Sequence, residues 1–269
     1  MELKNFFNEI CDAQFLSAPE GQAMLIIAKS AEPSNPIAGI YSIDNKKLKA
    51  KNGKGVLSSL NGNKFYLFSK GITDSLSIPL ITVLFPITRN ENLSENYFYV
   101  TEDTFINYYL FSSSKLQEYL LRLLNIEKTD NPPKRVNKRT SDLFHDWSRR
   151  HLPSGPNGII KCDIDGVFLP RGNNAPIIIE IKRSDIPKIP DWVPRKADYT
   201  GLELLRGVAI HTKYQFIIMH HEENVINYDT QISVFCVNSS IPIGPEGPTY
   251  LEEFNPITVQ RAIQIMGIE

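Results

Sequence analysis

Four charged side chains in two neighbouring apolar segments could carry hydrolytic chemistry. Asp163 and Asp165 lie in one apolar run, and Glu180 and Lys182 end the next. Side chains two positions apart share a face of a β-strand, so each pair would lie on one face. The loop 170–176, rich in Pro, Gly and Asn, joins the two runs and predicts an antiparallel hairpin. The hairpin would bring the carboxylates and the lysine to one spot.

The oxygen atoms of this segment form a hard ligand set. Two carboxylates and a backbone carbonyl, that of Ile181, suit Mg²⁺ better than zinc, and Mn²⁺ can substitute. Such an ion polarises a phosphoryl oxygen and lowers the pKa of a bound water. A lysine beside it stabilises the charge that develops on the phosphate or positions the attacking water. These parts predict phosphodiester hydrolysis. The alternative is that Glu180 and Lys182 form an ion pair on a solvated face.

Asp165, followed by Glu180-Ile181-Lys182 at the end of an apolar strand, resembles the PD-(D/E)xK nuclease superfamily over residues 141–237. The resemblance implies that Asp165 and Glu180 are the acidic metal ligands and that Lys182 is the catalytic lysine. No proline precedes Asp165, so Asp163 stays open as a ligand. Glu-x-Lys alone is not specific, because Glu2-Leu3-Lys4 has the same spacing. The strand and loop context distinguishes the second copy.

The same resemblance implies an α/β fold. Residues 114–269 would form a restriction-endonuclease-like mixed β-sheet flanked by helices, after a β-rich N-terminal region at 1–113. The implied function is a Mg²⁺-dependent DNA endonuclease of restriction or phage-defence type that binds double-stranded DNA. Substrate selection, partner recruitment and formation of a homodimer are open roles for the N-terminal region. A catalytically inactive nuclease-fold module that binds nucleic acid or serves assembly, an RNA-cleaving enzyme and an exonuclease stay open as alternatives.

The helix predicted before the hairpin offers accessory groups. Asp142 or Asp146 could supply a further acid, and His145 could act as an accessory base. A helix cap or solvated face is the alternative for the acids, and packing is the alternative for the histidine. His220 and His221 close a later strand, where neighbours point to opposite faces, so a structural or exposed role is expected.

Basic residues are concentrated just ahead of the hairpin. The formal net charge of the whole chain is -1, so any nucleic-acid contact must come from a local patch. Such a phosphate track is predicted in the segment 134–150 and at the end of the hairpin, with a solvated loop as the alternative. Its residues are Lys134, Arg135, Lys138, Arg139, Arg149, Arg150 and Arg183.

Composition and pattern limit the remaining possibilities. The three cysteines are widely separated and lack zinc-site or disulfide-scaffold spacing. The longest apolar stretch, 78–87, is interrupted by prolines and too short to span a bilayer. We therefore expect a cytoplasmic protein with no membrane partner. Periodicity predicts strands near 24–28, 37–43, 64–68, 80–85, 162–169, 177–181, 216–219 and 232–237, and helices near 115–125, 141–150, 196–212 and 256–266.

Overall fold

The structure is a computed structural model. It describes residues 3–11, 14–44, 60–85, 97–102, 108–127, 143–153, 155–170, 175–183, 201–222, 226–237, 249–250 and 256–267.

Within these residues the chain forms six α-helices and two mixed β-sheets, as expected for an α/β protein. The helices are α1 (Leu3–Ile10), α2 (Lys64–Leu76), α3 (Ser113–Leu123), α4 (Leu143–His151), α5 (Leu202–Thr212) and α6 (Val259–Ile265). The strands are β1 (Phe15–Ser17), β2 (Gln22–Lys29), β3 (Pro36–Asp44), β4 (Leu80–Phe85), β5 (Tyr97–Glu102), β6 (Tyr109–Ser112), β7 (Ile159–Ile164), β8 (Gly166–Phe168), β9 (Ile177–Arg183), β10 (Gln215–His221), β11 (Gln231–Val237), β12 (Thr249–Tyr250) and β13 (Ile257–Thr258).

The chain divides into two compact units. The first unit contains Met1–Ser17 and Asp163–Glu269, and the second contains Ala18–Cys162. This division differs from the boundary after residue 113 that the sequence suggested. The N-terminal strand β1 pairs with β8, so the start of the chain belongs with its second half. Conversely, α3 and α4 pack in the core of the second unit.

The first sheet has the strand order β1-β8-β9-β10-β11-β12, and β13 also pairs with β11. Strands β9 and β10 are parallel, while β8 and β9 form the antiparallel hairpin predicted from the sequence. Parallel neighbours need a crossover connection, and α5 lies between them in the chain. Helix α5 contacts β10 and β11.

The two faces of the first sheet differ in what covers them. Odd-numbered residues of β9 and β10, such as Ile179 and Met219, join a buried cluster with Phe7 of α1 and Ala262 of α6. The other side carries the even-numbered residues of these two strands, and we call it the even face. The described residues of α5 take no part in the odd-side cluster, so α5 covers the even face.

The second sheet has the order β6-β5-β4-β3-β2-β7, with β3 and β4 parallel. Its core includes Phe98 of β5, Leu116 of α3 and Trp147 of α4. The buried indole N–H of Trp147 donates to Ser113 Oγ at 2.8 Å. This bond ties α4 to the start of α3 and removes an otherwise unsatisfied buried donor.

Most predicted elements are present, and two differ. The predicted strand at 64–68 is wrong: it is the start of helix α2, because Asn63 caps the helix by accepting a hydrogen bond from the Tyr66 N–H at 3.0 Å. The predicted strand at 162–169 is divided between β7 of the second sheet and β8 of the first, with a break at Asp165.

In the part of the chain that the structure describes, no helix combines the length and the apolar character that a membrane crossing requires.

Candidate functional site

Asp165 stands where the backbone leaves regular strand geometry. Strand β7 ends at Ile164 and β8 begins at Gly166, which lies opposite Ile179 in the antiparallel register. The backbone N–H of Asp165 donates to the carbonyl of Ile179 at 3.2 Å. This backbone hydrogen bond holds Asp165 beside β9, although Asp165 itself belongs to neither β7 nor β8.

The Asp165 carboxylate binds the backbone between Glu180 and Lys182. Its Oδ2 accepts a hydrogen bond from the Ile181 N–H at 2.7 Å. The N–H and C=O groups of one residue in an antiparallel ladder point toward the same neighbouring strand. The Ile181 carbonyl consequently lies on the edge of β9 that faces Asp165. One hydrogen bond thus fixes the aspartate at the centre of the Glu-x-Lys segment.

Glu180 and Lys182 share the even face and contact each other. The Lys182 ammonium donates a hydrogen bond to Glu180 Oε1. The Glu180 side chain is 2% exposed and the Lys182 side chain 34%, so the two groups lie at different depths. An ion pair on a solvated face therefore does not describe Glu180. The arrangement keeps the acid out of water and leaves the lysine side chain partly exposed.

Burial and repulsion both act on the carboxylates. The pKa of Glu180 is raised from 4.5 to about 8, chiefly by burial; Lys182 opposes the rise, and the charges of Asp165 and Asp163 add to it. Burial also raises the pKa of Asp165, against Lys182 and the hydrogen bond from the Ile181 N–H. The carboxyl groups of Asp163, Asp165 and Glu180 are therefore close enough for their charges to act on one another. Such a site favours a proton or a cation.

The donor atoms of the site fit a hard divalent cation. Two carboxylates and the Ile181 carbonyl supply oxygen ligands, and a cation would relieve the repulsion between Asp165 and Glu180. Among the residues the structure describes, no group of three or more His, Cys, Asp or Glu side chains is placed to hold a metal. The set would thus consist of two carboxylates, one carbonyl and water, and Mg²⁺ usually keeps several waters.

Against known proteins, no family model, no curated sequence and no solved structure matches the chain. The roles that the PD-(D/E)xK resemblance implies for Asp165, Glu180 and Lys182 stay an inference from residue type, spacing and contact. Their geometry is accordingly the basis for a functional proposal.

The other residues predicted from the sequence fall into two groups. Several belong to the described elements: Asp146, Arg149, Arg150 and His145 lie on α4 of the second unit, and Arg183 ends β9. Asp146 is partly buried and Arg150 is exposed. Those that lie outside the described residues are Lys134, Arg135, Lys138, Arg139 and Asp142.

Three residues near the site were not predicted from the sequence. The positive charge of Lys4 on α1 partly opposes the rise in the pKa of Asp165 that burial causes. His220 is the register partner of Lys182 in the parallel pair, and Ser233 is the partner of His220 on the next strand. A histidine and a serine inside otherwise apolar strands were the available signal, but only the register assigns them to the face that carries Glu180 and Lys182.

Proposed function

We propose that this protein is a Mg²⁺-dependent nuclease that hydrolyses phosphodiester bonds. The observation that carries the proposal is the hydrogen bond from the Ile181 N–H to Asp165 Oδ2. That bond holds Asp165 against the backbone between Glu180 and Lys182, so two acids, a carbonyl and a lysine belong to one short stretch of a sheet. Such a set matches what metal-assisted phosphate hydrolysis requires.

Each group has a separate task in this proposal. Asp165, Glu180 and the Ile181 carbonyl would hold the ion, which when bound would supply polarisation of a phosphoryl oxygen and a water of lowered pKa. Asp165 is oriented by its bond to the Ile181 N–H, and Glu180 by the Lys182 ammonium. The ammonium of Lys182, whose side chain is partly exposed, stabilises negative charge on the phosphate or positions the attacking water.

We also propose that the first sheet has a restriction-endonuclease-like fold. A hairpin (β8 and β9), a crossover helix (α5) and a parallel strand (β10) follow one another in the order expected of a restriction-endonuclease-like sheet. One feature departs from the expected order, because the helix just before the hairpin, α4, belongs to the second unit. Helix α1 instead packs on the first sheet. Double-stranded DNA is the proposed substrate and endonucleolytic cleavage the proposed reaction.

A substrate panel tests the proposal. Supercoiled plasmid, linear duplex, single-stranded DNA and RNA are each incubated with the protein in Mg²⁺, Mn²⁺ or EDTA. The expected result is conversion of the plasmid to nicked and linear forms with either metal and none in EDTA. Cleavage of RNA alone would retain the metal chemistry and replace the substrate. No cleavage of any substrate with either ion would contradict the proposal.

A further inference from the structure

One order of helices and strands occurs twice along the chain. Within the described residues, residues 3–123 form an α-helix, three strands, an α-helix, three strands and a closing α-helix, from α1 to α3. Residues 143–265 form the same series from α4 to α6, with the short strand β13 as the one addition. We call these stretches the first repeat and the second repeat.

The strands of the two repeats also pair in the same way. The order β2-β3-β4-β5-β6 in the second sheet matches β8-β9-β10-β11-β12 in the first. In both series the first pair is antiparallel, the second is parallel, and the last two are antiparallel. A helix crosses over between the parallel strands in each repeat, α2 in the first and α5 in the second. Agreement in both order and direction over five strands indicates a duplicated module.

The layers beside the two sheets correspond as well. Helix α2 covers one face of the second sheet, where the Tyr41 ring of β3 packs against Tyr66 of α2 with centroids 4.9 Å apart. Ile40, the neighbour of Tyr41 in β3, points to the opposite face and packs in the cluster that contains α3 and α4. The first sheet likewise has its crossover helix α5 on one face and two helices, α1 and α6, on the other.

The leading helix and strand of each repeat join the sheet of the other repeat. We call α1 with β1 the first arm and α4 with β7 the second arm. In the first arm, β1 pairs with β8, and Phe7 packs against Phe168 with ring centroids 4.9 Å apart. In the second arm, β7 pairs with β2, and Trp147 packs against Phe98 of β5 with centroids 6.1 Å apart. Both arms thus place their strand beside the first strand of a hairpin, but in exchanged sheets.

The two repeats differ at the strand that carries the proposed metal ligand. Strand β9 has Glu180 on the face that its crossover helix covers, whereas that face of β3 carries Tyr41 and Ile43. The Tyr41 hydroxyl donates to Gln22 Oε1 at 2.6 Å, and the Asn63 amide donates to the same oxygen at 2.9 Å. Neutral groups that bind one another lack the carboxylates that a hard cation requires. The hydrolytic residues therefore belong to the second repeat.

We infer that the chain is a tandem duplication of one α/β module with exchanged arms, in which the first arm completes the sheet that carries the hydrolytic site. The exchange accounts for α4, which precedes the hairpin in the chain but packs in the second unit. In its place α1 packs on the first sheet, and the charge of Lys4 on α1 acts on Asp165. The dependence of the site on the arm rests on the proposed function, whereas the duplication and the exchange do not.

Hydrogen exchange in two matched full-length variants tests the exchanged arms without reference to activity. Phe7→Ala removes a buried ring from the first arm, and Phe144→Ala removes one from the second. We expect Phe7→Ala to speed amide exchange in β8 and β9 by about tenfold or more and to leave β2 and β3 near their wild-type rates. Phe144→Ala should do the reverse. Faster exchange in the opposite sheet, or equal effects of the two variants on both sheets, would overturn the inference. Phe7→Leu and Phe144→Leu give the same comparison if an alanine variant does not fold.

Manganese binding tests whether the site depends on the first arm. Mn²⁺ is titrated into the full-length wild type, Phe7→Leu and Phe144→Leu and followed by electron paramagnetic resonance. We expect one site per chain, with a Kd about tenfold weaker in Phe7→Leu than in Phe144→Leu, because the first arm supports the strands that carry the ligands. Equal Kd values in the two variants would overturn the role of the arm. Absence of Mn²⁺ binding by the wild type would instead contradict the proposed function, and hydrogen exchange would still decide whether the arms are exchanged.

Discussion

Glu180 links the chemistry of the site to the folding of the chain. A buried carboxyl with a pKa of about 8 keeps its proton through the range in which the unfolded chain, with a pKa near 4.5, has lost it. Folding then takes up a proton, so the free energy of unfolding falls as pH rises between these values. A bound divalent cation would replace the proton and reverse this loss.

We expect Glu180→Gln to remove much of this pH dependence. In EDTA, the free energy of unfolding of the wild type should fall between pH 5 and pH 8 by about 2–4 kcal/mol more than that of the variant. The amide carries no titratable proton, and His220 titrates alike in both proteins, so its effect cancels. Urea unfolding at a series of pH values measures the difference.

Glu9→Gln is the matched control for this measurement. Glu9 is exposed on α1 in the same unit, so the substitution makes the same chemical change outside the site. Parallel pH profiles for the wild type and Glu180→Gln would show that the Glu180 proton is not coupled to folding.

At the scale of elements, the hairpin depends on a close contact at Gly166. A Cβ atom at this position would lie 2.6 Å from Cε2 of the Phe15 ring and 3.1 Å from the Leu16 carbonyl oxygen. The Phe15 ring is itself packed against Phe168, with centroids 4.7 Å apart, and has little room to move. The absence of a side chain at Gly166 thus lets β1 pair with β8 next to Asp165.

Gly166→Ala should therefore destabilise the protein by about 1–3 kcal/mol, the usual cost of overpacking a core. Gly71→Ala is the matched control, because the same methyl group on α2 would meet nothing within 4 Å. There alanine should stabilise the helix by about 0.5–1 kcal/mol. Chemical denaturation of both variants gives the comparison. A Gly166→Ala variant as stable as the wild type would show that Phe15 yields without cost.

Local sequence patterns predicted individual strands and helices. Features that depend on pairing between distant strands could not be predicted in this way. Alternation placed Glu180 and Lys182 on one face, and the loop chemistry predicted the hairpin, which the register confirms. The break at Asp165 could not be predicted, because it depends on strands of two different sheets. The prediction of a strand at 64–68 was wrong because Asn63 caps a helix that begins at Lys64.

At the scale of the whole molecule, local sequence patterns also could not predict how the chain divides into two units. Pairing of β1 with β8 joins residues about 150 positions apart, and its apolar residues resemble those of any short strand. The chemical pattern around Asp165, Glu180 and Lys182 was nevertheless predictable, since it lies within one hairpin. His220 and Ser233 were not, because only the sheet order brings their strands beside β9.

Charge at the molecular scale predicts how a nucleic acid would bind. A chain with a net charge of -1 needs a local patch, and Lys134, Arg135, Lys138 and Arg139 are the candidates from the sequence. Replacing these four with alanine should weaken binding to all duplexes alike. The slope of log affinity against log salt should lessen by about 3–4, since each phosphate contact contributes about 0.9. An unchanged slope in binding titrations would assign the segment to a solvated loop.

We propose that Asp165, Glu180 and Lys182 form a metal-dependent hydrolytic site. Single-turnover cleavage of duplex DNA in Mg²⁺ by the wild type, Lys182→Ala and Lys115→Ala tests it most directly, with binding to the same DNA measured in Ca²⁺. Lys115 is exposed on α3 and serves as the matched control. We expect Lys182→Ala to lose cleavage by about 100-fold or more while DNA affinity stays nearly unchanged, because the ammonium acts in the transition state. Undiminished cleavage by Lys182→Ala, or equal losses in both lysine variants, would contradict the account.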